Sequence, residues 1–177
     1  MNRIVETLYP KGSVNAKRID TDVFFIDENA KAQFQGHLDQ TIRYIEKVQL
    51  LDAVLWKRFV EQFRVFSDTA DKGWRGEYWG KMMRGAAFTY AYTQNEELYT
   101  LLCQTVEDML DTIDGAGRIS TYAEEEELDG WDLWCRKYVL LGMQYFIEIC
   151  KDEGLKERIL ASMCAQTDAI MAKIGPR

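Results

Sequence analysis

Apolar residues recur at helical spacing in six successive stretches of this chain. Patterning begins near Ala30, where Phe34, Leu38, Ile42 and Ile45 lie on one helical face. A second helix is predicted over Leu51–Phe66, with Val54, Leu55, Phe59, Phe63 and Phe66 turned inward. Ser67–Gly73 reads as a polar loop. A third helix is predicted over Gly76–Thr93. Its charges, Glu77, Lys81 and Arg84, fall in its first half, and the rest is apolar nearly all round, so most of its sides should be buried. Asn95 is the expected N-cap of a fourth helix, Glu96–Asp114, ended by Gly115 and Gly117. That helix carries an apolar stripe of Leu98, Leu102, Val106, Met109 and Ile113. Thr100, Gln104, Glu107, Asp108 and Asp111 should face water. Residues 118–130 connect to a fifth helix, Gly130–Lys151, and the acidic run Glu124–Glu127 is expected as a solvated loop. In the fifth helix Asp132 and Arg136 are one turn apart and can pair, and Val139–Ile149 is nearly continuous apolar sequence. A sixth helix, Leu155–Ile174, carries Leu155, Ile159, Met163, Ile170 and Ile174 in a stripe and stops at Gly175-Pro176. Residues 1–29 read as an irregular, partly extended lead-in, with Val23–Ile26 as a short strand-like piece.

The last four helices are one hairpin written twice. Trp74 answers to Trp131, Gly85 to Gly142, Leu98 to Leu155 and Ile113 to Ile170, each pair 57 residues apart. A helix that is apolar nearly all round is followed each time by a one-sided helix. Repetition at this period marks stacked helix pairs, because one pair cannot cover its own hydrophobic face. The pattern points to a helical toroid, with the buried helix of each pair inside and the amphipathic helix outside. Its inner polar residues would gather at one end and face a central funnel. Glu77, Lys81 and Arg84 fit that place in the first copy. Asp132, Arg136 and Lys137 fit it in the second, beside Trp131 and Trp134.

At 177 residues the chain is long enough for one compact domain, here 30–177 behind the lead-in, and short for two. Apolar residues make up 47% of it, so a core is available. A net charge of −7 argues against nucleic-acid binding, which needs concentrated positive charge. The only prolines, Pro10 and Pro176, lie at the ends and leave the interior free of helix breakers. Cys103, Cys135, Cys150 and Cys164 form no C-x-x-C pair, and His37 is the only histidine, so no structural zinc site is expected. Free thiols on apolar helices fit a reducing, cytoplasmic setting. The opening residues lack the apolar run of a signal peptide, and no segment reaches about 18 uninterrupted apolar residues, so no membrane span is expected.

Three segments carry a family resemblance: Trp74-Arg75-Gly76-Glu77-Tyr78-Trp79-Gly80-Lys81, Gly117-Arg118-Ile119-Ser120-Thr121-Tyr122, and Trp131-Asp132-Leu133-Trp134-Cys135-Arg136-Lys137-Tyr138-Val139-Leu140-Leu141-Gly142. In this order and spacing they resemble the amino-terminal part of glycoside hydrolase family 127, the β-L-arabinofuranosidase-like proteins. The resemblance covers about residues 20–175. It implies an all-α fold making about half of an (α/α)6 barrel, which in the family precedes β-rich domains. It also implies a retaining glycosidase whose nucleophile is a cysteine thiolate held by zinc, with a glutamate in the same metal site. Those residues would lie beyond residue 177, so no nucleophile, acid, metal ligand or cofactor is carried over to this chain. Many relatives have His-Glu-Leu-Tyr where this chain has Trp131-Asp132-Leu133-Trp134, and Gly-His where it has Lys137-Tyr138. That departure leaves the sugar open.

The expected substrate contacts are Glu77, Trp79, Trp131, Asp132, Trp134, Arg136 and Tyr138. Sugar rings stack on aromatic faces, and their hydroxyls suit planar charged partners such as Asp132 and Arg136. The same tryptophans can equally pack between helices, and Glu77 can equally form an ion pair with Lys81 one turn on. Cys135 lies beside this cluster, but its cationic sequence neighbours Arg136 and Lys137 point in other directions on a helix, so no catalytic role is given to it. His37 is given none either. Two functional readings follow: the carbohydrate-binding first part of a glycosidase barrel, prone to self-association or awaiting a second half, or a non-catalytic helical-repeat module that binds a carbohydrate or protein partner.

Overall fold

The computed structural model describes residues 33–174. The chain divides into Met1–Gln33 and Phe34–Arg177, and the description here concerns the second unit. The predicted lead-in, Val23–Ile26 included, falls outside the described residues. The fold is all-helical. Helix α1 (His37–Ile45) runs into a π-helical turn (Glu46–Leu50), followed by α2 (Ala53–Val65), α3 (Glu77–Thr93), α4 (Glu96–Leu110), α5 (Asp132–Ile149) and α6 (Glu153–Ile174). Short 3-10 turns occupy Ala70–Lys72 and Glu124–Glu126. No described helix is long and apolar enough to cross a membrane.

Local chemistry sets several boundaries. The Asp52 carboxylate accepts from the N–H groups of Val54 and Leu55, each at 3.0 Å, and so caps α2. Asn95 caps α4 by accepting from the Glu97 N–H at 3.0 Å, as its position predicted. Asp152 accepts from the Leu155 N–H at 3.0 Å and opens α6.

The first two helices depart from their sequence reading. Phe34, Leu38 and Ile45 are exposed rather than inward, and Glu46 and Leu50 are buried in their place. Phe34 precedes the helix, and beyond Ile45 a π turn, in which the Leu51 N–H reaches back to the Glu46 carbonyl at 2.9 Å, changes which positions face inward. One extra residue per turn rotates the apolar face around the axis. In α2 the buried face is Trp56, Val60 and Phe63, while Val54 and Phe66 are exposed. Trp56 turns this face inward because its indole N–H donates to the Leu50 carbonyl at 2.8 Å. Helix α4 ends a turn earlier than predicted, which leaves Ile113 exposed in the turn beyond it. Along α6 the inward positions are Leu155, Ile159, Ser162 and Gln166, and Ile174 is exposed.

The centre of the molecule is the contact between α3 and α5. A methyl group on Gly80 would lie 1.8 Å from the Tyr138 carbonyl oxygen, and one on Gly142 would lie 2.8 Å from the Gly80 Cα and 2.9 Å from the Trp79 ring. Only glycine at both positions lets the backbones come this close. The helices run parallel with their starts level, since Glu77 meets Trp134 at one end and Phe88 meets Tyr145 at the other. Trp79, Met83, Ala86 and Ala87 from α3 are buried with Cys135, Val139, Met143 and Phe146 from α5. Leu98, Leu102, Val106 and Met109 of α4 and Leu155 and Ile159 of α6 close the core behind them. Helix α5 is not sealed all round, because Leu140, Leu141, Gln144 and Tyr145 stay half-exposed.

Two loops clasp at the start of these helices. The Asp68 carboxylate accepts from the Thr121 hydroxyl and the Arg75 N–H, both at 2.8 Å. The Tyr122 hydroxyl donates to the Gly73 carbonyl at 2.6 Å and accepts from the Trp131 N–H at 3.1 Å. The connections leading into the two hairpins are thereby fixed to each other.

Gly80→Ala forces a methyl into the backbone of α5, a fixed neighbour that cannot move aside as a side-chain tip can. A loss of about 3 kcal/mol in unfolding free energy is expected, read by urea denaturation. Gly85→Ala is the contrasting variant: a methyl there has no heavy atom within 4 Å and replaces a glycine inside a helix, so a gain of about 0.5–1 kcal/mol is expected.

Candidate functional site

The parallel register of α3 and α5 builds a ladder of polar groups on aromatic rings. Trp134 donates its indole N–H to Glu77, whose other oxygen accepts from Lys81 at 2.6 Å. Lys81 also lies over the Tyr138 ring, 4.8 Å from its centroid, and Arg84 lies 5.8 Å from the centroid of Tyr145. These residues come from matching positions of the two copies, Glu77 against Trp134 and Lys81 against Tyr138. Tryptophans extend the ladder at its upper end: Trp131 meets Trp134 edge-on at 5.9 Å, and Trp134 meets Tyr138 edge-on at 5.3 Å. Lys137 places its ammonium 3.5 Å from the centroid of Trp134 and 3.9 Å from that of Tyr138.

Four of the seven expected contacts therefore stand together: Glu77, Trp131, Trp134 and Tyr138. Trp131 is 41% exposed and Trp134 is 40% exposed, so both present ring surface to solvent. Trp74, the counterpart of Trp131, is exposed as well. Glu77 is paired with Lys81, as its spacing allowed, and it anchors Trp134 at the same time. Hydrogen bonding to Glu77 holds the Lys81 ammonium above the usual lysine range.

Trp79, Asp132 and Arg136 are elsewhere. All three have 0% exposure and do not reach the aromatic surface, a correction to their expected place beside a sugar. Trp79 faces α4 and donates its indole N–H to the Thr105 hydroxyl at 3.1 Å. Asp132 accepts from the Ser120 hydroxyl and, at 2.9 Å, from the Leu128 N–H. Its pairing with Arg136 is present at 3.7 Å, but it is an internal strut. The physical reason is helical phase: Trp134 and Tyr138 share one side of α5, and Asp132, Arg136 and Val139 share another.

Glu127, the residue that holds Arg136, was not among the expected contacts. Glu127, read as part of a solvated acidic run, has a side chain only 3% exposed. It accepts from Arg136 at 2.9 Å and from Lys173 near the end of α6, with Arg118 at 3.8 Å. Glu124 and Glu125 beside it are exposed, so the run is solvated except at its last residue. A buried arginine needs a carboxylate, which was the available signal. Burial opposes the charged form of Glu127, but Lys173 and Arg136 outweigh it and hold the group below the ordinary glutamate value.

Cys135 is buried beneath Gly76 and Thr121. Burial first, and the nearby charge of Asp68 second, push its thiol up to about 12. A thiol held protonated in this way is no nucleophile near neutral pH. The described residues gather no group of three His, Cys, Asp or Glu side chains fit to hold the zinc that the family resemblance implies, and no step is assigned to a metal.

No family model, curated protein or solved structure matches this chain.

Two measurements check this electrostatic picture. At about pH 8, a thiol reagent should label the exposed Cys164 at once and Cys135 only after unfolding. Because the folded pKa of Glu127 lies below its unfolded value, its contribution to stability is complete above about pH 4.5 and is lost as pH falls through the folded value. Glu127→Gln should be less stable than the native chain near neutrality and should lose less stability on acidification, as read by thermal unfolding across pH.

Proposed function

We propose that residues 34–174 form the first helix pairs of an (α/α)6 glycosidase-like barrel and that they contribute carbohydrate recognition, with no bond-breaking group of their own. The observation that carries this reading is the exposed aromatic surface at the matched starts of α3 and α5, where Glu77 fixes the ring of Trp134. Flat rings beside fixed polar groups suit the apolar faces and hydroxyls of sugars. The three segments that resemble glycoside hydrolase family 127 converge on this end of the molecule. The buried, protonated Cys135 supports a binding role rather than nucleophilic catalysis.

The flank of α5 and α6 supports a continuing arc. Leu133, Leu140, Met163 and Ile170 border an open cavity of about 420 Å³. In the first copy the positions matching Leu140 and Met163 are Met83 and Val106, and both are fully buried.

Calorimetric titration with an arabinofuranosyl oligosaccharide tests the proposal. Saturable binding is expected, weakened roughly tenfold by Trp134→Ala, a loss of about 1.4 kcal/mol. No release of sugar from an aryl arabinofuranoside is expected, in the native chain or in Cys135→Ser. Hydrolysis abolished by Cys135→Ser would overturn the assignment, as would oligosaccharide binding indifferent to Trp134→Ala.

A further inference from the structure

We propose that the saccharide bound on this face is acidic, a chain with uronate units whose carboxylates are met by Lys137 and Arg84. The inference rests on the carbohydrate reading above and adds the charge class of the ligand.

The argument begins with which cations are already committed. Lys81 is ion-paired to Glu77. Arg118 and Arg136 are buried on Asp114, Glu127 and Asp132. Lys137 and Arg84 differ: among the described residues neither forms an ion pair, and both are exposed. Each rests on an aromatic ring instead, Lys137 on Trp134 and Tyr138, and Arg84 on Tyr145. A ring face attracts a cation without neutralising it, so the full positive charge remains available to a ligand. The rings also restrict side chains that are otherwise free to rotate, which lowers the entropy lost on binding.

Placement completes the case. Lys137 and Arg84 line the same open cavity of about 420 Å³, together with Tyr138 and Leu141. Trp134 adjoins that cavity through Lys137, whose ammonium lies over its ring, 3.5 Å from the centroid. The chain as a whole bears a net charge of −7, which repels anions at a distance. Two unpaired cations in one cavity of such a chain mark a local preference of opposite sign.

The experiment compares a galacturonate trimer with its fully methyl-esterified form by calorimetry on the intact chain. The ester keeps the rings and hydroxyls and removes the charge. The acid should bind roughly tenfold more tightly than the ester at low salt, and added salt should shrink the difference. Arg84→Met with Lys137→Met keeps side-chain length, and circular dichroism verifies the fold. This double variant should bind acid and ester equally, at the ester affinity of the native chain. Equal affinity of the native chain for acid and ester overturns the charge assignment and leaves the carbohydrate reading standing. An acid preference that survives the double variant also overturns it. If neither form binds, and the neutral arabinofuranosyl oligosaccharide does not bind either, both readings fall together.

Discussion

The close approach of α3 and α5 at Gly80 and Gly142 governs the rest of the molecule. Because the two backbones nearly touch, side chains on either side of the contact line are forced into fixed opposition. On one side this compresses Trp79, Met83, Val139 and Met143 into the core. On the other it sets Glu77 against Trp134, Lys81 against Tyr138 and Arg84 against Tyr145. A wider spacing, such as two alanines would impose, would separate these pairs beyond contact. The glycines therefore serve the exposed face as much as the interior.

Charge is treated in two ways. Around Glu127, buried Arg118, Arg136 and Asp132 meet the more exposed Asp114 and Lys173, tying the 114–131 connection to α5 and the far end of α6, while Arg118 Nη1 and Arg136 Nε are left without a hydrogen-bond partner. Such a cluster is costly to bury, and it holds its geometry because removing one member strands the others. Along the ladder, cations stay at the surface and lean on rings. The first arrangement is structural scaffolding. The second leaves reactive valence, in the electrostatic sense, facing outward.

Six helices and their order were legible because each is long and strongly periodic, and Asn95 announced one start unaided. Phase was legible only where regular α-helix continued. The π turn at Glu46–Leu50 changed which positions after α1 face inward in a way that no spacing rule registers, and Trp56 was hidden because its burial depends on a carbonyl six residues earlier. The aromatic and charged cluster was legible only in part: Glu77, Trp131, Trp134 and Tyr138 meet near the starts of α3 and α5, but the two copies do not use equivalent positions alike. Trp79 and its counterpart Arg136 both point inward, one to a hydroxyl and the other to a carboxylate. The partner of Arg136, Glu127, came from a run whose other members are solvated, so composition concealed it.

Parallel neighbours with level starts have one more effect. Peptide dipoles in α3 and α5 point the same way, so two partial positive poles lie side by side at the tryptophan end. Left alone they would repel and would draw any anion indiscriminately. Glu77 and Asp132 occupy the first turn of each helix and offset these poles. The backbone is thus electrically quiet at its opening, and selection by sign passes to side chains one and two turns further along.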